Sequence, residues 1–319
     1  MTDAVHIHRH DHRHDQRPGH AGRHHHAPAD FGRAFAVGIG LNAAYVIAEA
    51  GFGVFAHSLA LLSDAGHNLG DVLALGLAFA AARMSRKAPS QRYTYGLGGS
   101  SILAALSNAM LLLVVTGGIA WAAILRLFHP EPAAGSVVMA VAAGGVAINV
   151  FTALMFASGR KGDVNIRAAF THMAADALVA AGVVAAGGVM IVTGWLWLDP
   201  AVSLVIGLVI VAGTWSLLRE SLDLALDAVP SGIDREAVRA YLAGLPGVAE
   251  VHDLHIWGMS TTDTALTAHL VRPGAELDDG LIQEACHDLQ RRFGIQHATL
   301  QIERGVGEHP CHLADEAVI

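Results

Sequence analysis

Three stretches of the chain, Leu97 to Leu125, Pro132 to Gly159 and Ala201 to Leu218, contain no Asp, Glu, Lys or Arg. Each is near or above the roughly 17–25 residues that a helix needs to cross a hydrocarbon core. Three further stretches are almost as apolar but carry isolated ionisable groups: Ala34 to Ala56 with Glu49, Ser58 to Ala82 with Asp64, His67 and Asp71, and Ala168 to Leu198 with His172 and Asp176. Together they predict six transmembrane helices. Only 15% of all residues are charged, against about 25% in a soluble domain. So few charges cannot cover a water-facing surface for a chain of 319 residues. Net charge −8 with only two lysines leaves no cluster of cations for phosphate contacts, which argues against a nucleic-acid partner. The abundant Gly and Ala suit close helix packing in a bilayer.

Short connections set orientation through their Lys and Arg content. Arg83, Arg86, Lys87 and Arg92 follow the second span, and Arg160, Lys161 and Arg167 follow the fourth. Both loops are expected in the cytoplasm, which places both termini there too. A multi-pass protein of the bacterial inner membrane is the expected setting, and the first thirty residues lack the apolar centre of a cleavable signal.

The chain divides into a tail over residues 1–30, a six-helix region over 31–226, a soluble acidic domain over 227–305 and a C-terminal tail over 306–319. Nine of the 20 histidines fall in the first tail, which has almost no apolar content and is expected to be disordered. The acidic domain reads as αββαβ: Ile233 to Leu245 helical, Glu250 to Gly258 and Thr264 to Val271 strand-like, Leu277 to Phe293 helical, His297 to Glu303 strand-like. That order predicts an α+β domain with a ferredoxin-like sheet. Two cysteines, Cys286 and Cys311, are too few for a disulfide framework and suit a reducing compartment. Cys286 is expected to be a buried small hydrophobe.

An ionised side chain at membrane depth costs roughly 2.5–3.5 kcal/mol on insertion scales, so each calls for a partner or a function. Four of them repeat one pattern. The second span reads His67-Asn-Leu-Gly-Asp71 and the fifth His172-Met-Ala-Ala-Asp176. A spacing of four puts each imidazole and carboxylate on one helix face. Facing each other, the two helices would offer two nitrogens and two oxygens, a tetrahedral set suited to Zn²⁺. Asp64 shares the His67 face and reads equally as an accessory acceptor on the access path or as a solvated carboxylate near the helix end. Glu49 reads as a buried hydrogen-bonding or proton-handling group outside the site.

The run Ser58-Leu-Ala-Leu-Leu-Ser-Asp-Ala-Gly-His-Asn-Leu-Gly-Asp71, the loop Arg92-Tyr-Thr-Tyr-Gly96, His172 to Asp176, Asp199-Pro200 and Val251-His-Asp-Leu-His-Ile-Trp257 resemble the zinc-exporting branch of the cation diffusion facilitator family. The resemblance covers about Phe31 to Glu303. It implies a homodimeric six-helix antiporter that exchanges Zn²⁺ for protons at His67, Asp71, His172 and Asp176, with a cytoplasmic domain in which zinc is a regulatory ligand. His67 at the head of the second-span motif is similar to members that prefer zinc to manganese or iron.

In the acidic domain, strand parity puts His269 and Glu303 on the side away from the apolar residues. Parity also sends His252 and His255 to opposite faces and favours His255 beside Asp253. The resemblance instead implies His252, with His269, Glu303 and Cys311. His312 is an alternative to Cys311, because the Cys-x-x-Cys tail of some relatives is reduced here to Cys311-His312.

Two other functions compete. A hydrolytic zinc enzyme would need a base such as the Glu of an H-E-x-x-H helix, and neither His-Asp pair has one. A membrane-anchored zinc sensor without transport would leave four costly ligands in the bilayer unexplained. Zinc-coupled proton flux separates the sensor from the transporter.

Overall fold

The computed structural model describes residues 32–85, 87–157, 164–274, 279–305, 311 and 313. The histidine-rich tail, Arg86, Arg160, Lys161, His309 and His312 lie outside them. The apolar stretches form α1 (Gly32–Phe55), α2 (Leu59–Ser85), α3 (Ser100–Phe128), α4 (Gly135–Phe156), α5 (Val164–Thr193) and α6 (Leu198–Ala225). All six are long and apolar enough to cross a membrane. Phe55, Phe79, Phe128, Leu178 and Val192 point out of the bundle, as lipid-facing side chains do. α6 runs on past Leu218 and carries Arg219, Glu220 and Asp223 clear of the apolar zone.

Small residues govern the packing. Where α4 meets α5, a Cβ on Gly187 would come 3.0 Å from the Met139 nitrogen and 3.1 Å from the Gly135 carbonyl oxygen, so only glycine permits this approach. α3 packs along α6, and α2 lies against α1, α3 and α6.

The start of α2 is anchored from a distance. After α1 the chain reverses at His57, whose φ is +51°, and Ser58 caps α2 by accepting from the Leu61 amide at 3.2 Å. Asp199, in the first turn of α6 and 1% exposed, accepts from the Ser58 hydroxyl at 2.5 Å, the Leu59 amide at 2.8 Å and the Ala60 amide at 3.3 Å. A carboxylate at a helix N-terminus satisfies amides that have no partner in their own helix and complements the dipole. Arg126 at the end of α3 balances the charge, 3.6 Å from Asp199, and donates to the His57 carbonyl at 2.5 Å. Three helices are thus tied at the end of the bundle where α2 begins.

The C-terminal domain has the elements α7 (Arg235–Ala243), β1 (Glu250–Gly258), β2 (Thr264–Val271), α8 (Asp279–Phe293) and β3 (His297–Glu303). α7 begins two residues later than the periodicity predicts because Asp234 caps it, accepting from the amides of Glu236 and Ala237. The strands lie in the order β1-β2-β3, with β1 antiparallel and β3 parallel to β2. This is the ferredoxin-like arrangement without its first strand, so the last strand closes up against the middle one. Val238, Leu242, Leu266, Leu270, Leu289 and Ile295 make the core between the helices and one face of the sheet, leaving the other face for polar groups. Cys286 is only half buried, with its thiol 3.9 Å from the Ala298 carbonyl. Burial pushes that thiol's pKa up, which keeps it protonated.

Replacing Asp199 with Ala strips the α2 cap and leaves the mostly buried Arg126 without its counter-charge. The loss is expected to be about 3 kcal/mol, with Asp199→Asn losing less. Thermal unfolding of the detergent-solubilised protein measures it; equal midpoints for wild type and Asp199→Ala would refute the role.

Candidate metal centres

His67 and Asp71 on α2 face His172 and Asp176 on α5; one ligand atom each from Asp71, His172 and Asp176 lies within 4.8 Å of the others, and His67 stands beside this group without joining it. His67 Nε2 lies 3.7 Å from Asp71 Oδ2 and 3.5 Å from Asp176 Oδ1. His172 Nε2 lies 3.2 Å from Asp71 Oδ2 and 3.6 Å from Asp176 Oδ2. The rings stand edge to face at 6.2 Å. Ligands about 2.0–2.1 Å from a tetrahedral ion stand roughly 3.3–3.4 Å apart, close to the separations of His172 from the two carboxylates. Asp71 Oδ2, Asp176 Oδ2 and His67 Nδ1 are buried with no hydrogen-bond partner. Polar atoms left unsatisfied at such depth call for an ion or water.

The surroundings are asymmetric. Towards the start of α2, Ser58 to Leu61 and Ser63 to Ala65 are buried, and the hydroxyls of Ser63 and Ser203 meet at 2.6 Å. Towards the other end, a cavity of about 430 Å³ between α1, α2, α4 and α5 is lined by Asn42, Asn68, Asp71, His172 and Met173. A second, of about 740 Å³ between α2, α3, α5 and α6, reaches His67, Asp71 and Asn108. Both cavities are lined mainly by apolar side chains, and the second runs along α6 from Leu198 to Leu217. Asp64 is 2% exposed, so the solvated helix-end reading fails: α2 begins five residues before Asp64, and the bundle encloses its first turns.

The second cluster lies on the open face of the sheet. His252 Nε2 is 3.2 Å from Glu303 Oε2, His269 Nδ1 is 2.8 Å from Glu303 Oε1, and Cys311 Sγ is 3.5 Å from His269 Nδ1. Among the described residues these four offer ligand atoms all within 4.8 Å of one another. The parity argument for His255 is corrected by the backbone. Register slips between His252 and His255, so that His252 pairs with His269 and His255 with Thr267. Asp253 takes up the extra residue with φ +49°, the geometry of a bulge. His252 and His255 consequently share a face. His252 is 3% exposed and joins the cluster, whereas His255 stands outside, bound to Asp253 at 2.9 Å.

Sequence reasoning missed the roles of four residues. Asp253 Oδ2 also lies 3.5 Å from His269 Nε2, the Leu313 carbonyl lies 3.3 Å from His252 Nδ1, and Asp199 with Arg126 anchors the helix that carries His67. Asp199 had a readable signal, an acidic residue at the head of an apolar span; the bulge at Asp253 had none.

The model of the cation efflux transmembrane domain matches residues 35–224, and that of the cation efflux protein cytoplasmic domain matches 230–305. The chain belongs to the cation diffusion facilitator family. The metal cation efflux system protein CzcD of Cupriavidus metallidurans is 35% identical over 300 residues, 93% of either chain. The zinc transporter ZitB of Escherichia coli is 34% identical over 293 residues, 91% of this chain and 92% of its own. A cadmium, cobalt and zinc/H⁺-K⁺ antiporter of Bacillus subtilis is 30% identical over 270 residues, 83% and 86% of the two chains. Membership accounts for six spans followed by a cytoplasmic domain with a small sheet, in a family of transporters.

Burial pushes the Glu303 carboxyl up, but hydrogen bonds from Cys311, Gln301 and His252 and the charge of His252 outweigh it and hold it below the usual range. A carboxylate depressed on folding stabilises the domain above its ordinary value of about 4.3. That contribution is lost as pH falls through the lowered value. In an acid titration of metal-free protein followed by tryptophan fluorescence, Glu303→Gln is expected to weaken the transition below about pH 4. Superimposable curves would show that Glu303 does not hold the cluster together.

Proposed function

We propose that the protein is a zinc/proton antiporter that exports Zn²⁺ from the cytoplasm through a tetrahedral site of His67, Asp71, His172 and Asp176. Co²⁺ and Cd²⁺ are further candidate cargo, since a His₂Asp₂ set binds several divalent ions and one relative's name includes cadmium and cobalt. The observation that carries the reading is the meeting of two apolar helices at which each imidazole nitrogen, of His67 and of His172, lies within 3.7 Å of both the Asp71 and the Asp176 carboxylates.

Ligation needs neutral imidazole and ionised carboxylate, so Zn²⁺ and protons compete for the same atoms. Histidine suits this exchange because its unperturbed pKa of about 6.5 lies near working pH. With four protein ligands and no position reserved for water, release requires α2 and α5 to shift relative to each other. Opening of the Ser58–Asp199–Arg126 tie would then expose the site to the far side.

The Lys and Arg of the α2–α3 and α4–α5 connections support a reading with both termini in the cytoplasm, in a bacterial inner membrane. The second cluster, His252, His269, Glu303 and Cys311, is a cytoplasmic zinc site that senses supply. Homodimerisation through the cytoplasmic domain completes the reading. His312 lies outside the described residues, so Cys311 is the tail ligand proposed.

Asp176→Ala is expected to abolish proton-driven ⁶⁵Zn²⁺ uptake into proteoliposomes, with Asp176→Asn nearly as severe. Unchanged uptake by correctly folded Asp176→Ala would overturn the transport site. Zinc binding by wild type without any flux would instead make the protein a sensor.

A further inference from the structure

Asn108 stands in the charge-free length of α3 and is 6% exposed. Its side-chain oxygen Oδ1 is buried and has no hydrogen-bond partner. An amide oxygen accepts up to two hydrogen bonds, and one left unserved inside a bilayer is costly unless water or an ion meets it. Neither metal cluster uses Asn108, and neither does the tie at the head of α2.

Two cavities meet at this residue. The cavity of about 740 Å³ that reaches His67 and Asp71 has Asn108 in its wall. A further cavity, of about 530 Å³, lies between α2, α3, α6 and the turn that joins β1 to β2, where Ser85, Ser101, Thr262 and Asp263 line it. The two walls share Ala74 of α2, Asn108 of α3 and Leu217 of α6. Asn108 is the polar member of this ring, and Ala74 follows Asp71 by three residues, less than one helical turn. The turn is held against the bundle: the Thr261 amide donates to Ser101 Oγ at 3.0 Å, and Gly98 allows the approach, since a Cβ there would come 3.0 Å from the Met259 carbonyl oxygen. Ser260 braces it from within, donating to Asp263 Oδ2 at 2.7 Å.

We infer that a cation passage runs from the β1–β2 turn through the ring of Ala74, Asn108 and Leu217 to His67 and Asp71, and that the Asn108 oxygen binds the divalent ion in transit. The inference rests on the transport reading and supplies its route of entry. Asp263, exposed at the outer cavity, sets a negative charge there that draws cations in. The ring beyond it offers methyl groups and a single amide, so a partly dehydrated ion finds its replacement oxygen at Asn108. A neutral amide oxygen is a weaker partner for Zn²⁺ than imidazole. Weak binding is what a step on a path requires, because an ion held too tightly does not move on. The ring is closed around Oδ1 in this structure, so Leu217 turns aside as an ion passes.

The test sets the initial rate of ⁶⁵Zn²⁺ uptake by the full chain in proteoliposomes beside the zinc affinity of the same protein in detergent, taking as transmembrane the binding that Asp176→Ala removes. Asn108→Leu keeps the volume and removes the oxygen. It is expected to slow uptake about tenfold while the transmembrane affinity stays within about twofold of wild type. Asn108→Ser, which restores an oxygen, is expected to recover most of the rate. A wild-type rate in Asn108→Leu, an equal fall in rate and affinity, or an Asn108→Ser protein as slow as Asn108→Leu would make Asn108 a packing residue and overturn the passage. Should Asn108→Leu fail to fold, Ala105→Phe fills the outer cavity from α3: slow uptake at unchanged affinity supports the route, and a wild-type rate overturns it. If Asp176→Ala leaves uptake intact, the transport-site reading falls and takes this one with it; if Asp176→Ala abolishes uptake and Asn108→Leu does not slow it, the inference alone falls.

Discussion

Inside a bilayer no polar group can turn to water, and most of this structure follows from how that requirement is met. The head of α2 shows it most directly. Its first amides have no partner in the helix, and Asp199 of α6 supplies one carboxylate for two of them and for the Ser58 hydroxyl. The charge thereby buried on Asp199 is met by Arg126 of α3. One local need thus ties together three helices, and it sets the position of the helix on which His67 and Asp71 ride. The same ties bury Ser58 to Leu61 at the head of that helix.

The two clusters are built by different geometry. In the membrane, a four-residue spacing written twice stacks imidazole over carboxylate on each helix, and the approach of α2 to α5 brings the two pairs together. In the C-terminal domain the ligand types come from two strands and a tail, and the face on which they meet depends on a single irregularity at Asp253. The first construction resists small changes of backbone, because helix periodicity is maintained by hydrogen bonds along the helix axis. The second is exposed to them, because one extra residue in a strand reverses the side of every residue that follows.

These differences explain what could be read in advance. Charge placement located all six helices, and αββαβ was legible from strand alternation and helical periodicity. His67, Asp71, His172 and Asp176 stood out because ionisable residues are rare in apolar spans. Choosing between His252 and His255 was beyond parity reasoning, since parity assumes a regular strand and Asp253 breaks it. Asp64 could not be classed as buried or solvated from its position near the start of α2, because that depended on how α1 and α6 close over it. Glu49 was legible as a buried hydrogen-bonding group, but its donor Tyr45 was not named.

The sequence by itself determined the solvent of each region, the number of spans and the chemical character of the ligands, because these depend on composition and on periods of two and 3.6 residues. Tertiary structure alone decided which histidine joins the sheet cluster and which partners Asp199 finds in α2 and α3. Those outcomes depend on distances between segments far apart in the chain, set by packing of small residues and by the need of each buried charge to find its partner.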